Sequence, residues 1–182
     1  MAKRIIIKPG DIFCIELEGD RKCYFQNIGK DTEQLNSDVI CVFKKEYEKK
    51  EEPTIEEIIS DEVYFYSHTY IRWWVKEGFW TKIGNGPINK RINNLYFKTF
   101  SIEDDWIEWR IWKVNHRERF YKNALSKKLF EKCEWGSAFP AMDIIRKITN
   151  GYFAEYMHKI DIEYQNKPDK IGIFDFLRFR KK

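Results

Sequence analysis

Histidine is scarce in this chain. There are three in 182 residues, His68, His116 and His158, and they lie far apart. General acid–base and nucleophilic sites draw most often on histidine, and no local Ser-His or Cys-His arrangement marks one. H-E-x-x-H, a His/Cys cluster and an Asp-rich calcium loop are all missing, so the sequence offers no metal-ligating set and no cofactor is expected. Four cysteines, Cys14, Cys23, Cys41 and Cys133, form no C-x-x-C pair and sit among apolar or strand-like neighbours. They read as buried thiols in a reducing compartment. Cys14 and Cys23 could face each other across a hairpin, where a bridge would need an oxidising setting. Long apolar runs are also lacking. Nothing approaches the ~20 residues of a membrane span, and Ile5-Ile6-Ile7, followed at once by Lys8-Pro9-Gly10, is too short for a secretory signal. The absences together point to a cytoplasmic binding protein, not an enzyme.

Two fragments imitate chemistry without completing it. Gly84-Asn85-Gly86 resembles part of a phosphate loop, but the Gly-Lys-Ser/Thr ending and the following helix are missing. It reads as a tight turn needing positive φ. Asp104-Asp105 could supply the paired carboxylates of a glycosidase, yet adjacent acids ordinarily form a solvated loop.

What the chain has in quantity is rings and charge. Aromatic residues make up 17% of it, and basic and acidic residues number 33 and 29. Each ring buries about 150–250 Å², more than one small core hides, so some rings should reach a groove or interface. The charge is unevenly spread. Residues 1–62 hold 10 Lys/Arg and 15 Asp/Glu, net −5, whereas residues 63–100 hold 6 and 1, net +5. Such opposed segments can steer a charged partner. Tyr70, Arg72, Trp73, Trp74 and Lys76 interleave rings with cations, as do Trp109, Arg110, Trp112 and Lys113. That pattern suits single-stranded nucleic acid and equally a half-buried strand with its rings inward. A pI near 8.7 falls short of a dedicated nucleic-acid binder, so nucleic acid is the alternative partner and is not expected.

The length argues for one domain over residues 1–182. Residues 11–17 alternate as a strand with Phe13, Ile15 and Leu17 on one face, Glu18-Gly19-Asp20 is a turn, and residues 22–29 return as a second strand ending at Gly29. Residues 30–37 read as polar loop and 38–44 as a third strand. The charged run 44–53 reads as solvated loop. Thr54 and Glu57 form a capping-box pattern that predicts a helix to about Ser60. Residues 62–75 should be mainly extended, with strands at 78–83, 95–101 and, favoured by its β-branched and aromatic content, 105–114. Residues 117–132 look helical, with Phe120, Ala124 and Phe130 inward. A helix over 140–149 should turn Met142, Ile145 and Ile148 inward, and 152–159 reads as its continuation past the interruption at Asn150-Gly151. Residues 171–179 alternate as a last strand before a basic tail. Strands first and helices later indicate α+β, with an N-terminal twisted antiparallel sheet or partial barrel and helices mainly in the C-terminal half.

Several segments resemble one known family. Lys8-Pro9-Gly10-Asp11-Ile12-Phe13-Cys14-Ile15-Glu16-Leu17 is similar to the K-x-G-D-I-F-x-I-x-L opening of the immunity protein 26 family. Gly78-Phe79-Trp80-Thr81-Lys82-Ile83-Gly84-Asn85-Gly86-Pro87 resembles its G-x-W-x-x-I-G-N-x-P segment, and Glu134-Trp135-Gly136-Ser137-Ala138-Phe139-Pro140 is similar to its C-terminal part. Tyr24-Phe25-Gln26-Asn27-Ile28-Gly29 departs from the family's G-x-G-R-V-like second strand, and the Trp-rich segment 106–112 has no counterpart. The resemblance implies a bacterial immunity protein of a polymorphic toxin system, which binds and occludes a cognate toxin domain, often a nuclease. Turn chemistry, by contrast, gives the motif residues Gly10, Asp11, Phe13, Gly78, Trp80, Ile83, Gly84, Asn85 and Pro87 a shaping role, with Gly84-Asn85 making a positive-φ turn. Trp73, Trp74, Trp106 and Trp112 are the expected toxin-facing rings. Glu51, Glu52, Glu56 and Glu57 are the expected acidic surface, able to mimic nucleic-acid phosphate.

Overall fold

A computed structural model describes residues 5–88, 92–103, 106–121 and 127–166, apart from the side chains of 93, 102, 103, 106–108, 120, 121, 127 and 161–166. The chain forms two compact units, residues 1–141 and 142–182.

The first unit is built on an open sheet, every pairing of which is antiparallel. Its strands are β1 (Asp11–Leu17), β2 (Arg21–Asp31), β3 (Ser37–Phe43), β4 (Tyr47–Glu48), β5 (Val63–Thr69) and β6 (Trp80–Asn85). They run in the order β5-β3-β2-β1-β6, with β4 pairing β2. The β1–β2 turn is local chemistry. Gly19 and Asp20 both take left-handed φ, 71° and 61°, which glycine adopts freely and aspartate tolerates. The second strand continues past Gly29, because that glycine (φ 149°) sits at a shift in the β2–β3 register and bends the strand instead of ending it.

Both faces of this sheet are covered. Phe13 stacks on Phe25 at 5.0 Å, and Phe25 meets the edge of Trp80 at 4.8 Å. On the opposite face Ile12, Tyr24, Ile28, Val39, Cys41 and Phe43 pack with Ile58 and Ile59 and with Phe97, Trp112 and Val114. Those last three come from a second sheet, β10-β7-β8-β9, formed by β7 (Tyr96–Glu103), β8 (Trp106–Lys113), β9 (Arg119–Tyr121) and β10 (Glu134–Trp135). The cysteines do not face one another across the hairpin. Cys14 opposes Tyr24 and Cys23 opposes Ile15, which puts the two thiols on opposite faces. All four cysteines are free.

Helix α1 (Ile55–Ser60) has the capping box its sequence announces. Glu57 N–H donates to Thr54 Oγ1 and Thr54 N–H donates to the Glu57 carboxylate. Three readings are corrected. The run 44–53 is not all solvated loop, since Tyr47 is buried in β4 and meets Tyr24 edge-on at 5.4 Å. The aromatic stretch 62–75 divides into β5 and helix α2 (Ile71–Lys76). The predicted helix 117–132 contains strand β9, held by pairing with β8, and among its described residues the helical ones are those of α3 (Lys127–Glu131). Phe130 is buried there. The Phe120 side chain, Ala124, Asp104-Asp105 and the expected strand at 171–179 lie outside the described residues.

The second unit carries α4 (Ala141–Asn150), which begins at its border, and α5 (Glu155–Asn166). Gly151, at φ 82°, donates its N–H to the Lys147 carbonyl and ends α4, the left-handed helix stop that glycine favours. Ile144 and Ile148 are buried, whereas Met142 is 53% exposed and does not turn inward as expected. Helical period places Met142 roughly a third of a turn around the helix from the buried stripe of 141, 144 and 148.

Candidate functional site

The two signature segments, some seventy positions apart in the chain, become neighbours. Strand β6 pairs with β1 so that Asp11 lies opposite Asn85, Ile12 opposite Gly84, Phe13 opposite Lys82 and Ile15 opposite Trp80. A polar clasp closes the end of this pairing. The buried Asp11 carboxylate accepts from Asn85 Nδ2 at 2.9 Å, Lys82 Nζ at 2.7 Å and Lys8 N–H at 2.8 Å. Burial by itself would push this carboxyl up, but the three donors outweigh it and hold it below the ordinary carboxylate value. Gln26 Nε2 donates to the carbonyls of Gly86 and Pro87, both at 3.1 Å. Gly10 is required twice over. Its φ is 91°, and a Cβ there would meet the Gly86 carbonyl oxygen at 2.7 Å.

Gly84 and Asn85 do not form the expected positive-φ turn. Both continue β6 with ordinary backbone angles. Glycine is needed for room, because Ile55 of α1 packs down onto Gly84 and Gly86, leaving 2.7 and 2.9 Å for a Cβ. Ile83 is the extra residue where the β1–β6 register shifts, and it is exposed. Bulges of this kind twist an edge strand away from further pairing. Gly78, at φ 81°, follows α2, and Phe13 and Trp80 are core. Pro87 is exposed just after β6.

A second polar cluster is hidden inside the first unit. Ser37 Oγ lies 3.0 Å from His68 Nδ1, and His68 Nε2 lies 3.7 Å from Asp31 Oδ2. Asp31 also accepts from Trp112 Nε1 at 3.1 Å and from the backbone N–H groups of Glu33, Gln34 and Asn115 at 3.3 Å each. The Asp31 carboxylate favours the tautomer with hydrogen on Nε2, so the Ser37 hydroxyl donates to Nδ1. The residue types are those of a hydrolase triad, but the arrangement is reversed. In a triad the hydroxyl faces Nε2 and the carboxylate orients Nδ1, and 3.7 Å is too long for a hydrogen bond. Ser37, His68 and Asp31 are each 1% exposed or less, so a substrate has no path to them. Burial depresses the His68 pKa to about 4, against the opposing pull of Asp31. His116 and His158 are exposed. No local sequence signal marks Asp31 or Ser37, because the cluster joins β2, β3, β5 and β8.

The expected contact residues separate sharply. Trp112 is 1% exposed and committed to Asp31, so it is withdrawn from the toxin-facing set. Trp74 is half-buried, edge-on to Phe79 at 5.6 Å and Trp80 at 6.5 Å. Trp73, beside it, is 62% exposed. Trp106 lies in β8 with its side chain outside those described. Glu51, Glu52, Glu56 and Glu57 are all exposed, and Glu51 and Glu57 already accept backbone hydrogen bonds from Glu48 and Thr54. Lys98, which the sequence did not single out, is buried with Nζ 4.8 Å from the Phe130 ring, 5.2 Å from Trp135 and 5.7 Å from Trp109. Much of the ring surplus is thereby spent in the core. Among the described residues no group of His, Cys, Asp or Glu could hold a metal ion, and no helix is long and apolar enough to cross a membrane.

No curated protein and no solved structure matches the chain. The family model for immunity protein 26 matches residues 8–105. That span takes in both signature segments, the clasp between them and the whole open sheet. On this match, over more than half its length, the chain belongs to the immunity protein 26 family.

Proposed function

We propose that this chain is a cytoplasmic immunity protein of a polymorphic toxin system, which neutralises a cognate toxin domain by binding it stoichiometrically and covering its working surface. The observation that carries this reading is the family match over residues 8–105. The chemistry on the page agrees with it. The histidine that meets both a hydroxyl and a carboxylate is sealed inside the fold, whereas exposed rings and charges remain on the outside for a partner. Large exposed aromatics are the residues that dominate protein interfaces. Residues 1–182 act in this reading as one functional domain without a cofactor.

The test is co-expression with the toxin domain encoded in the adjacent reading frame. Growth should be rescued, and the purified pair should elute as a complex of fixed stoichiometry whose inhibition saturates at one equivalent. Continued toxicity with no complex between the purified proteins overturns the proposal.

A further inference from the structure

Resting on the immunity reading, we propose that the toxin docks on the outer side of α2 and the turn that follows it, and that this face takes a protein surface with an apolar pocket rimmed by carboxylates. Helix α2 is short and two-sided. Ile71 is fully buried, and Trp74 and Val75 lean inward. Its other side presents Arg72, Trp73 and Lys76, all exposed. Tyr70, at the helix start, is 50% exposed, and Phe79, just after its end, is 37% exposed. Tyr70, Trp73 and Lys76 fall at three-residue spacing, and Arg72 and Lys76 at four, so they share one side of the helix. Trp73 has the highest exposure of the large apolar residues described.

This face is held in place before any partner arrives. Ile71 N–H donates to Asp38 at 3.0 Å, Tyr70 Oη donates to the Leu35 carbonyl at 3.5 Å, and Phe79 N–H donates to the Trp74 carbonyl at 2.9 Å. Trp74 is wedged against Phe79 and Trp80 beneath the surface. A rigid exposed indole loses little freedom on binding, which is what makes a ring an efficient anchor. The charges indicate the complement. Arg72 and Lys76 flank Trp73 and Lys30 is exposed nearby; half-buried Asp38 sits close to Lys30 and Arg72, and Glu77 is exposed at the helix end, so the face keeps a net positive charge. Exposed cations beside a ring call for acidic groups around the pocket that receives it.

The acidic run is the weaker contender. Within it Glu62 is paired with Lys44 at 2.9 Å, Glu46 with Arg21 at 2.6 Å and Glu48 with Lys50 at 2.8 Å, and Glu51 and Glu57 accept backbone N–H groups. It also presents no large exposed ring, Tyr47 being buried.

The experiment titrates the purified adjacent-frame toxin domain, inactivated by substitution, against the full-length wild type and three variants checked for unchanged melting. Trp73→Ala should weaken binding by at least about 30-fold, the scale of an interface hot spot. Arg72→Glu/Lys76→Glu should slow association at low salt, with the difference shrinking as salt rises. Glu52→Lys/Glu56→Lys, on the acidic face, should stay within about threefold, as residues outside an interface do. Wild-type binding with Trp73→Ala also within threefold, or a larger loss from Glu52→Lys/Glu56→Lys, overturns the assignment of this face and leaves the immunity reading standing. Wild type that fails to bind the toxin domain overturns the immunity reading itself. Two further measurements can displace the toxin from this face: self-association that Trp73→Ala abolishes assigns it to a second copy, and retention of a labelled oligo(dT) that Trp73→Ala abolishes assigns it to nucleic acid.

Discussion

His68 shows what a buried titratable residue does to stability. Its imidazole is removed from water, so its folded pKa lies near 4, below the ordinary 6.5. Above about pH 6.5 the group is neutral in both states and its contribution is flat. As pH falls from 6.5 toward 4 the unfolded chain takes up a proton that the folded chain excludes, and stability drops. The full difference is on the order of 3 kcal/mol. Urea midpoints should therefore fall between pH 7.5 and 4.5, and His68→Gln should flatten that slope; a slope as steep as wild type in the variant would count against this account. Asp11, whose carboxyl is held low, acts in a different window, losing its stabilising effect only below about pH 4. Asp31 carries a static load of similar size. Asp31→Ala strands the Trp112 indole N–H and three backbone donors, with an expected cost of about 2–4 kcal/mol by chemical denaturation. None of this was legible in the sequence. His68 stood as one isolated histidine, and nothing near it in the chain names Ser37 or Asp31 as neighbours.

At the scale of elements, local signals and remote pairing competed. The capping box of α1 lies within four residues and formed as written, and Thr54→Ala should cost about 1 kcal/mol in melting experiments. The same helix explains the signature glycines. A Cβ on Gly86 meets Ile55 Cγ2 at 2.9 Å, the end of a side chain that can move, whereas one on Gly10 meets a backbone carbonyl in a backbone conformation that already disfavours it. Gly86→Ala should thus be mildly destabilising and non-additive with Ile55→Ala, the pair losing less than the sum in a double-mutant cycle. Gly10→Ala should be severe and unrelieved by Ile55→Ala. Where the readings failed, a remote partner won. Ring and β-branched content favours a strand at 71–75, yet Asp38 accepts the first helical N–H and left-handed Gly78 follows the last turn. Arg119, Phe120 and Tyr121, inside a span that reads as helix, instead pair with Trp112, Ile111 and Arg110.

For the molecule as a whole, stability rests on two covered sheet faces and no covalent link. All four thiols are free, and burial pushes Cys133 up to about 11 and Cys23 higher still. Reductant should leave the melting temperature unchanged, and a shift on adding dithiothreitol would reveal a bridge. The sequence by itself determined the α+β order of elements, the first hairpin, the cap of α1 and the family, because turn sterics, capping and period-two alternation act over a few residues and because both signature segments are contiguous. Only the tertiary structure decided which rings are spent and which are offered. β2 and β3 are largely buried on both faces, so alternation could not distinguish inside from outside, and Trp73, Trp74 and Trp112 looked alike in the chain. Their separation into an exposed ring, a wedge and a buried donor to Asp31 came from partners brought together by long-range pairing, which no local pattern encodes.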